Sequence, residues 1–290
     1  MKPAPFAYHA PESVEEAIGL LARGDDARVL AGGQSLVPLM KLRTIRPAVV
    51  VDVNRVAGLD GVDARDDVLH IGALVRQQAL LDDGAVARSH PLLKAAGAYA
   101  GYRATRQRGT VGGSLAYAAP WAELTAAAVA LDATIELRSA RGARSVAARE
   151  FFRGPHETAM APDELLTGVS VPAQAPRTGE GFHEASARHR DYAQVAAAAT
   201  VTVDDAGACI AAELVLLRVA PTPFRADIAG LVLGTQLGAD VLDAVAGSLQ
   251  GLSPPDDVEA SGLHRRRVAA VLARRALQDA RARATAKESA

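Results

Sequence analysis

Two glycine pairs, each followed by a small polar side chain, are the residues best placed to do chemistry: Ala31-Gly32-Gly33-Gln34-Ser35-Leu36 and Val111-Gly112-Gly113-Ser114-Leu115. Paired glycines open backbone conformations closed to other residues and carry no Cβ, so successive N–H groups can converge on an oxyanion at close range. One such loop is equally well a tight turn after a strand. Two loops of the same type suit the two phosphates of a pyrophosphate, and hence a dinucleotide, better than they suit a monophosphate. The G-x-G-x-x-G arrangement does not apply, because Gly32-Gly33 runs into Gln34-Ser35-Leu36-Val37-Pro38, with proline where a helix should be running. Asp52, at the end of the next apolar strand, is therefore read as a strand-end or turn residue rather than as a ribose ligand.

Other chemistries find little support. The single cysteine, Cys209, excludes an internal disulfide, a CxxC pair and an iron–sulfur cluster held by this chain alone. The seven histidines are scattered without metal-ligand spacing, and no G-x-S-x-G elbow is present. A net charge of −1 over 290 residues supplies no basic field for a nucleic-acid backbone. The first residues lack the apolar run of a signal peptide, and no apolar stretch is long enough to span a bilayer, so the expected compartment is the cytoplasm.

The elements that must position the glycine loops are legible from periodicity and punctuation. Ser13-Val-Glu-Glu16 has the form of a capping box and opens a helix from Ser13 to Arg23, closed by Gly24 and the turn Gly24-Asp25-Asp26. Short β-branched runs predict strands at Ala27 to Leu30, Val49 to Val53, Val68 to Ile71, Thr134 to Leu137 and Leu165 to Val171. Helical spacing returns from Leu92 to Tyr102 and from Trp121 to Leu131. Pro172 to Gly181, with two prolines and two glycines, reads as a linker that divides residues 1–175 from 178–285, and a weaker break near Asp52 to Gly61 splits the first part into about 1–56 and 57–175. Beyond the linker, strands are expected from Phe182 to Arg188, Gln194 to Val203 and Cys209 to Arg218, with a hairpin turn at Asp204 to Gly207. Helices are expected near Phe224 to Leu233, Ala239 to Leu249 and Leu263 to Arg281. The alternating Arg103, Arg106 and Arg108 read as a subunit-facing surface, and Arg265-Arg266-Arg267 as a solvated helix face opposite Val268, Val271, Leu272 and Leu277.

Ala31-Gly-Gly-Gln-Ser-Leu-Val-Pro-Leu-Met-Lys-Leu-Arg43 and Arg108-Gly-Thr-Val-Gly-Gly-Ser-Leu-Ala116 resemble the two FAD loops of the medium, flavin-carrying subunit of molybdenum hydroxylases, the group that includes carbon monoxide dehydrogenase and xanthine dehydrogenase. The likeness extends to Phe151-Phe152, Glu164-Leu-Leu, Arg188-x-x-Asp191-Tyr192-Ala193 and the closing helices. It implies an α+β chain: a two-subdomain FAD-binding fold of the vanillyl-alcohol oxidase type in residues 1–175, then a small C-terminal domain with a three-stranded sheet and helices in 178–285. It also implies a non-covalent FAD in this chain, with molybdopterin and [2Fe–2S] clusters confined to a large and a small partner subunit in a dimer of heterotrimers. Substrate would then be oxidised on a partner chain, and no side chain here need act as acid, base or nucleophile.

By the same likeness, Leu30, Ala31, Gly32, Gly33, Gln34, Ser35 and Leu36 form the first cofactor loop, and Thr110, Gly112, Gly113 and Ser114 the second, with Ala100 on the segment leading into it. Glu123 matches an acidic position that accepts hydrogen bonds from FAD hydroxyls, Leu166 an apolar contact near the flavin, and Tyr192 an aromatic that can cover the isoalloxazine ring. Tyr117 and Ala119 stand where relatives often carry His and Asp, so no polar contact is expected there. On the residues alone, Glu123 serves equally as a first-turn acid of a helix, and Tyr192 as a core or interface aromatic. A free-standing flavin oxidase and a scaffold that has lost its flavin are the rival readings.

Overall fold

In the computed structural model residues 1–24 and 26–286 are described, so Asp25 of the expected turn lies outside the described residues. The amino-terminal part is a three-stranded parallel sheet in the order Ala7–His9, Val49–Asp52, Ala27–Leu30. Its helix, Val14–Leu21, starts where the capping box places it: the Ser13 hydroxyl accepts from the Glu16 N–H at 3.2 Å, and the Glu16 carboxylate reaches back to the Glu12 N–H at 2.9 Å. Ala17, Ile18 and Leu21 of that helix pack with Val51, Val53, Val56 and Leu59 into a small core of their own.

Residues that follow build an antiparallel five-stranded sheet in the order Val62–Arg65, Val68–Gly72, Leu165–Pro172, Thr134–Ser139, Gly142–Ala147. Every residue of the helix Glu123–Ala130 is buried. A helix apolar all round must be covered on all sides, and this one joins side chains of the five-stranded sheet to Ala196, Ala198, Val215 and Leu217 of the next sheet in one continuous core.

That next sheet runs Thr178–Ser186, Ala193–Val203, Cys209–Leu217, Phe224–Arg225, antiparallel throughout. Because side chains alternate across a strand, Ala196 and Ala198 face the first part of the chain while Val195, Ala197, Ala199 and Val201 face the long terminal helix Gly262–Ala286. The expected hairpin turn is present, with the Asp204 carboxylate accepting from the N–H groups of Ala206 at 2.9 Å and Ala208 at 2.8 Å.

Four expectations need correction. The linker is shorter than its glycines suggest, since Gly179 and Gly181 lie inside the strand Thr178–Ser186. They are glycine because the terminal helix lies on them: a Cβ at Gly179 would stand 2.9 Å from the Arg283 carbonyl carbon, and one at Gly181 2.9 Å from that of Ala276. Phe224 and Arg225 form an edge strand paired with Leu216 and Val215, and only Ala229–Val232 is helical in that segment. The arginine clusters do not lie wholly on the surface. Arg106 and Arg265 are buried, at 5% and 0% exposure, and Val271, expected on the apolar side of the terminal helix, is exposed. Finally, Pro38 does sit in a helix, Leu36–Leu42, but in its first turn, where the missing N–H has no intrahelical partner to lose.

Candidate functional site

Both glycine loops leave the ends of strands or turns and meet at the seam between the first two sheets. The first continues directly from the strand Ala27–Leu30, with Leu30 in register with Asp52. Gly33 takes φ +71°, a left-handed conformation that favours glycine, and Ser35 is the N-cap of the following helix without using its hydroxyl as a cap. Gln34 folds back so that its side-chain amide donates to the Gly32 carbonyl at 3.2 Å. Among the described residues, the consecutive N–H groups of Gly33, Gln34, Ser35 and Leu36 have no acceptor. The helix that begins at Leu36 adds the positive end of its dipole, so this loop is suited to receive an anion.

The second loop is built differently. Its glycines are helical, within Val111–Tyr117, and the helix is capped by Thr110, whose hydroxyl accepts from the Gly113 N–H at 3.0 Å. The Val111 N–H donates to Val75 and the Gly112 N–H to Ala73, both at 2.9 Å, while the Ser114 N–H donates to the Thr110 carbonyl at 3.1 Å. The expectation that both loops offer free backbone donors thus holds for the first alone. Here the glycines serve close approach: a Cβ on Gly112 would stand 2.8 Å from the Cα and carbonyl oxygen of Ala73. The loops themselves touch, since a Cβ on Gly32 would stand 2.8 Å from Gly109 Cα and closer still to the Arg108 carbonyl oxygen.

The remaining residues implied by the resemblance lie around this seam to different degrees. Ala100 ends the helix Pro91–Tyr99. Leu166 is buried in the central core, and the carbonyl of its neighbour Thr167 accepts from the Ala73 N–H at 3.0 Å, which ties that strand to the residue on which Gly112 rests. Glu123 is the first residue of its helix, as the first-turn reading has it, and is buried. Tyr192 is 63% exposed, which excludes core packing. Its ring instead lies 4.7 Å from that of Trp121, which also faces His156 at 5.6 Å and carries the Arg218 guanidinium over its face at 5.5 Å. Trp121 was missed from the sequence, although the chain's single tryptophan two residues before a candidate acid, in Pro120-Trp-Ala-Glu123, was a usable signal.

Burial pushes the Glu123 carboxyl up to about 7, against the pull of its own backbone N–H and of Arg106. Arg106 is held in place by donating to Gln78 Oε1 at 3.0 Å and to the Gly101 carbonyl at 2.5 Å. Glu184, on the C-terminal sheet, is raised to about 9 by burial and then by the charge of Glu123, and neither of its carboxylate oxygens has a hydrogen-bond partner. No group of His, Cys, Asp or Glu able to hold a metal ion occurs among the described residues.

A loop with four unengaged amide donors, pressed against a second glycine loop between a small parallel sheet and an antiparallel one, defines the class: a dinucleotide-binding domain of the FAD type. Residues 4–174 match the family described as the FAD binding domain in molybdopterin dehydrogenase, and residues 180–280 match the CO dehydrogenase flavoprotein C-terminal domain. The chain belongs to this family, the FAD-carrying medium subunits of oxidoreductase complexes. It is similar to the 6-hydroxypseudooxynicotine dehydrogenase complex subunit alpha of Paenarthrobacter nicotinovorans, with 40% identity covering 100% of this chain and 99% of that one. It is likewise similar to the carbon monoxide dehydrogenase medium chain of Afipia carboxidovorans, with 37% identity covering 98% and 99%. Its fold superposes on carbon monoxide dehydrogenase from Hydrogenophaga pseudoflava with a TM-score of 0.94 at 32% identity, covering 98% of this chain and 99% of that one. No helix among the described residues is long and apolar enough to cross a membrane.

These residues fit FAD. The free amides of 33–36 match a pyrophosphate, and the buried Glu123 is an acceptor for a hydroxyl. If a cofactor hydroxyl donates to Glu123, binding favours its charged form and draws a proton off. FAD affinity is then expected to rise between pH 6 and 8, by up to about tenfold per unit below the carboxyl's free value. The apoprotein carries the opposite sign. A carboxyl raised in the folded state contributes stability below its unfolded value near 4.5 that is lost as pH rises through about 7. FAD titrations across pH 6 to 8 check the first statement and apoprotein melting between pH 4 and 8 the second, with Glu123→Gln flattening both profiles.

Proposed function

We propose that this chain is the flavin-carrying electron-transfer subunit of a heteromeric molybdopterin-dependent hydroxylase or dehydrogenase. The observation that carries the reading is the first loop, Gly33 to Leu36, whose four consecutive amides have no acceptor among the described residues and suit a pyrophosphate. FAD, when bound, supplies the redox chemistry that links the iron–sulfur clusters of a small partner subunit to an external acceptor. The chain's own residues grip and orient it. The loops at 30–36 and 110–114 hold its phosphates and ribityl, Glu123 accepts from its hydroxyls, and Tyr192, backed by Trp121, covers the ring system, with Ala100 and Leu166 as flanking contacts. Substrate is oxidised on a large molybdopterin subunit, and the complex is a dimer of heterotrimers in the cytoplasm. Residues 1–175 act as the FAD-binding domain, in subdomains of about 1–56 and 57–175, and residues 178–285 close over it.

Acid precipitation of the purified chain is expected to release the yellow colour into the supernatant as FAD. Colour retained on the precipitate, or FMN in the supernatant, counts against a non-covalent dinucleotide. The chain alone is expected to turn over no organic substrate with an artificial acceptor, because its lone buried Cys209 can hold neither cluster. Activity should appear once the large and small subunits are added. Oxidation of an alcohol or aldehyde by the chain alone would favour a free-standing oxidase instead, and a colourless protein a scaffold.

A further inference from the structure

The two loops stand on different hydrophobic clusters. Ala31 packs with the small core around Ile18 and Val51, whereas Val111 and Leu115 belong to the central core. The small core also takes in Leu74, between the two residues that accept the second loop's amides, and side chains tie the loops themselves together across the seam. Arg76, the residue preceding the helix Gln77–Asp82, donates from one guanidinium nitrogen to the Arg108 carbonyl at 2.7 Å and from the other to Asn54 Oδ1, also at 2.7 Å. Asn54 in turn donates from Nδ2 to the Ala31 carbonyl at 2.8 Å. Asp52 pins Asn54 by accepting from its backbone N–H at 3.0 Å and its Nδ2 at 2.6 Å, and itself accepts from the Tyr8 hydroxyl at 2.6 Å.

The bonds leave no freedom of assignment. Asn54 must turn its oxygen to the guanidinium and its nitrogen to the Ala31 and Asp52 oxygens, because the reverse orientation would set donor against donor and acceptor against acceptor. The Arg76 fork is needed too, since only a planar guanidinium donates in fixed directions to a carbonyl and an amide oxygen at once. One N–H on each terminal nitrogen is engaged with the chain, which fixes the plane of the guanidinium between the two loops.

We propose that Asn54 and Arg76 are positioning residues that set the spacing of the two glycine loops, so that a dinucleotide meets the free amides of residues 33–36 and the wall formed by residues 110–114 in one preformed geometry. The inference rests on the reading of these loops as the FAD site. Asp52 and Tyr8 support the brace from the first sheet. Neither glycine loop contains any of these residues, and none makes its bonds within one hydrophobic cluster.

The test uses the full chain with FAD as the probe. Arg76→Lys keeps the charge and loses the fork, and Asn54→Ala removes the bridge. Each is expected to raise the Kd for FAD about tenfold, and the double variant is expected to be no weaker than the weaker single one, because both remove the same connection. In the apoprotein, amide hydrogen exchange of Val37 and Leu39, whose N–H groups donate to the Gly33 and Ser35 carbonyls, should speed up in both variants, while that of the terminal helix Gly262–Ala286 stays as in the wild type. Wild-type affinity in Arg76→Lys, losses that simply add, or unaltered exchange at Val37 and Leu39 would overturn the brace. Should the wild type itself bind no FAD, the site reading fails, and the exchange measurement still decides whether the brace orders the loop.

Discussion

Gly32→Ala is expected to abolish FAD retention while leaving the chain folded. The added Cβ would stand 2.8 Å from Gly109 Cα and nearer to the Arg108 carbonyl oxygen, and both are backbone atoms that cannot rotate away. The loops must part, which moves the amides of 33–36 relative to the second loop and strains the Asn54–Arg76 connection between Ala31 and Arg108. The hydrophobic clusters contain neither Gly32 nor Arg108, so the far-ultraviolet circular dichroism and the apoprotein's melting midpoint should stay near wild type. Gly33→Ala should act less strongly, through the strain of a left-handed φ rather than through collision with backbone. Stoichiometric flavin in purified Gly32→Ala would remove the basis for placing the cofactor between these loops.

Arg265→Ala is expected to cost about 3–5 kcal/mol of stability, lowering the midpoint by roughly 10 °C. This side chain is fully buried, donates to Asp257 at 2.5 Å and to the Gln194 carbonyl at 3.1 Å, and cannot be replaced by water without opening the contact between sheet and terminal helix. Truncation leaves a cavity and strands part of the charge on Asp257, whose other arginine partner is Arg218 at 2.6 Å. Arg218 is also the cation over Trp121, the ring against which Tyr192 rests. The variant should therefore perturb the aromatic wall as well as the melting curve. Arg265→Met, which fills the space without a charge, should lose less. A midpoint for Arg265→Ala within a few degrees of wild type would show that the buried guanidinium contributes little.

Arg265 and Arg106 also show where reading the sequence stops. Both sit in arginine-rich stretches that read as surface, subunit-facing around Arg106 and solvated around Arg265, and nothing local distinguishes them from Arg103 or Arg267, which are exposed. Their burial depends on acceptors far along the chain, Gln194 for one and Gln78 for the other. The linker shows the same limit: Gly179 and Gly181 have the composition of a hinge, and only the terminal helix, a hundred residues away by order of magnitude, turns them into contact points within a strand. For Tyr192 the sequence leaves a core or interface aromatic open beside a cofactor cover, and its exposure decides against the core alone.

What the sequence determined by itself is what neighbouring residues dictate to one another. The Ser13 cap, the strand Ala27–Leu30, the Asp204 turn and the two glycine loops arise from backbone preference and short-range hydrogen bonds, and these also carry the family likeness. Tertiary structure decided which donors remain free. The first loop keeps its amides open, whereas those of the second are taken by Ala73 and Val75. It also decided that Asn54 and Arg76, unremarked in the sequence, join Ala31 to Arg108. A hydrogen bond between residues distant in sequence leaves no periodicity behind, because its energy depends on an approach that only the packed cores create.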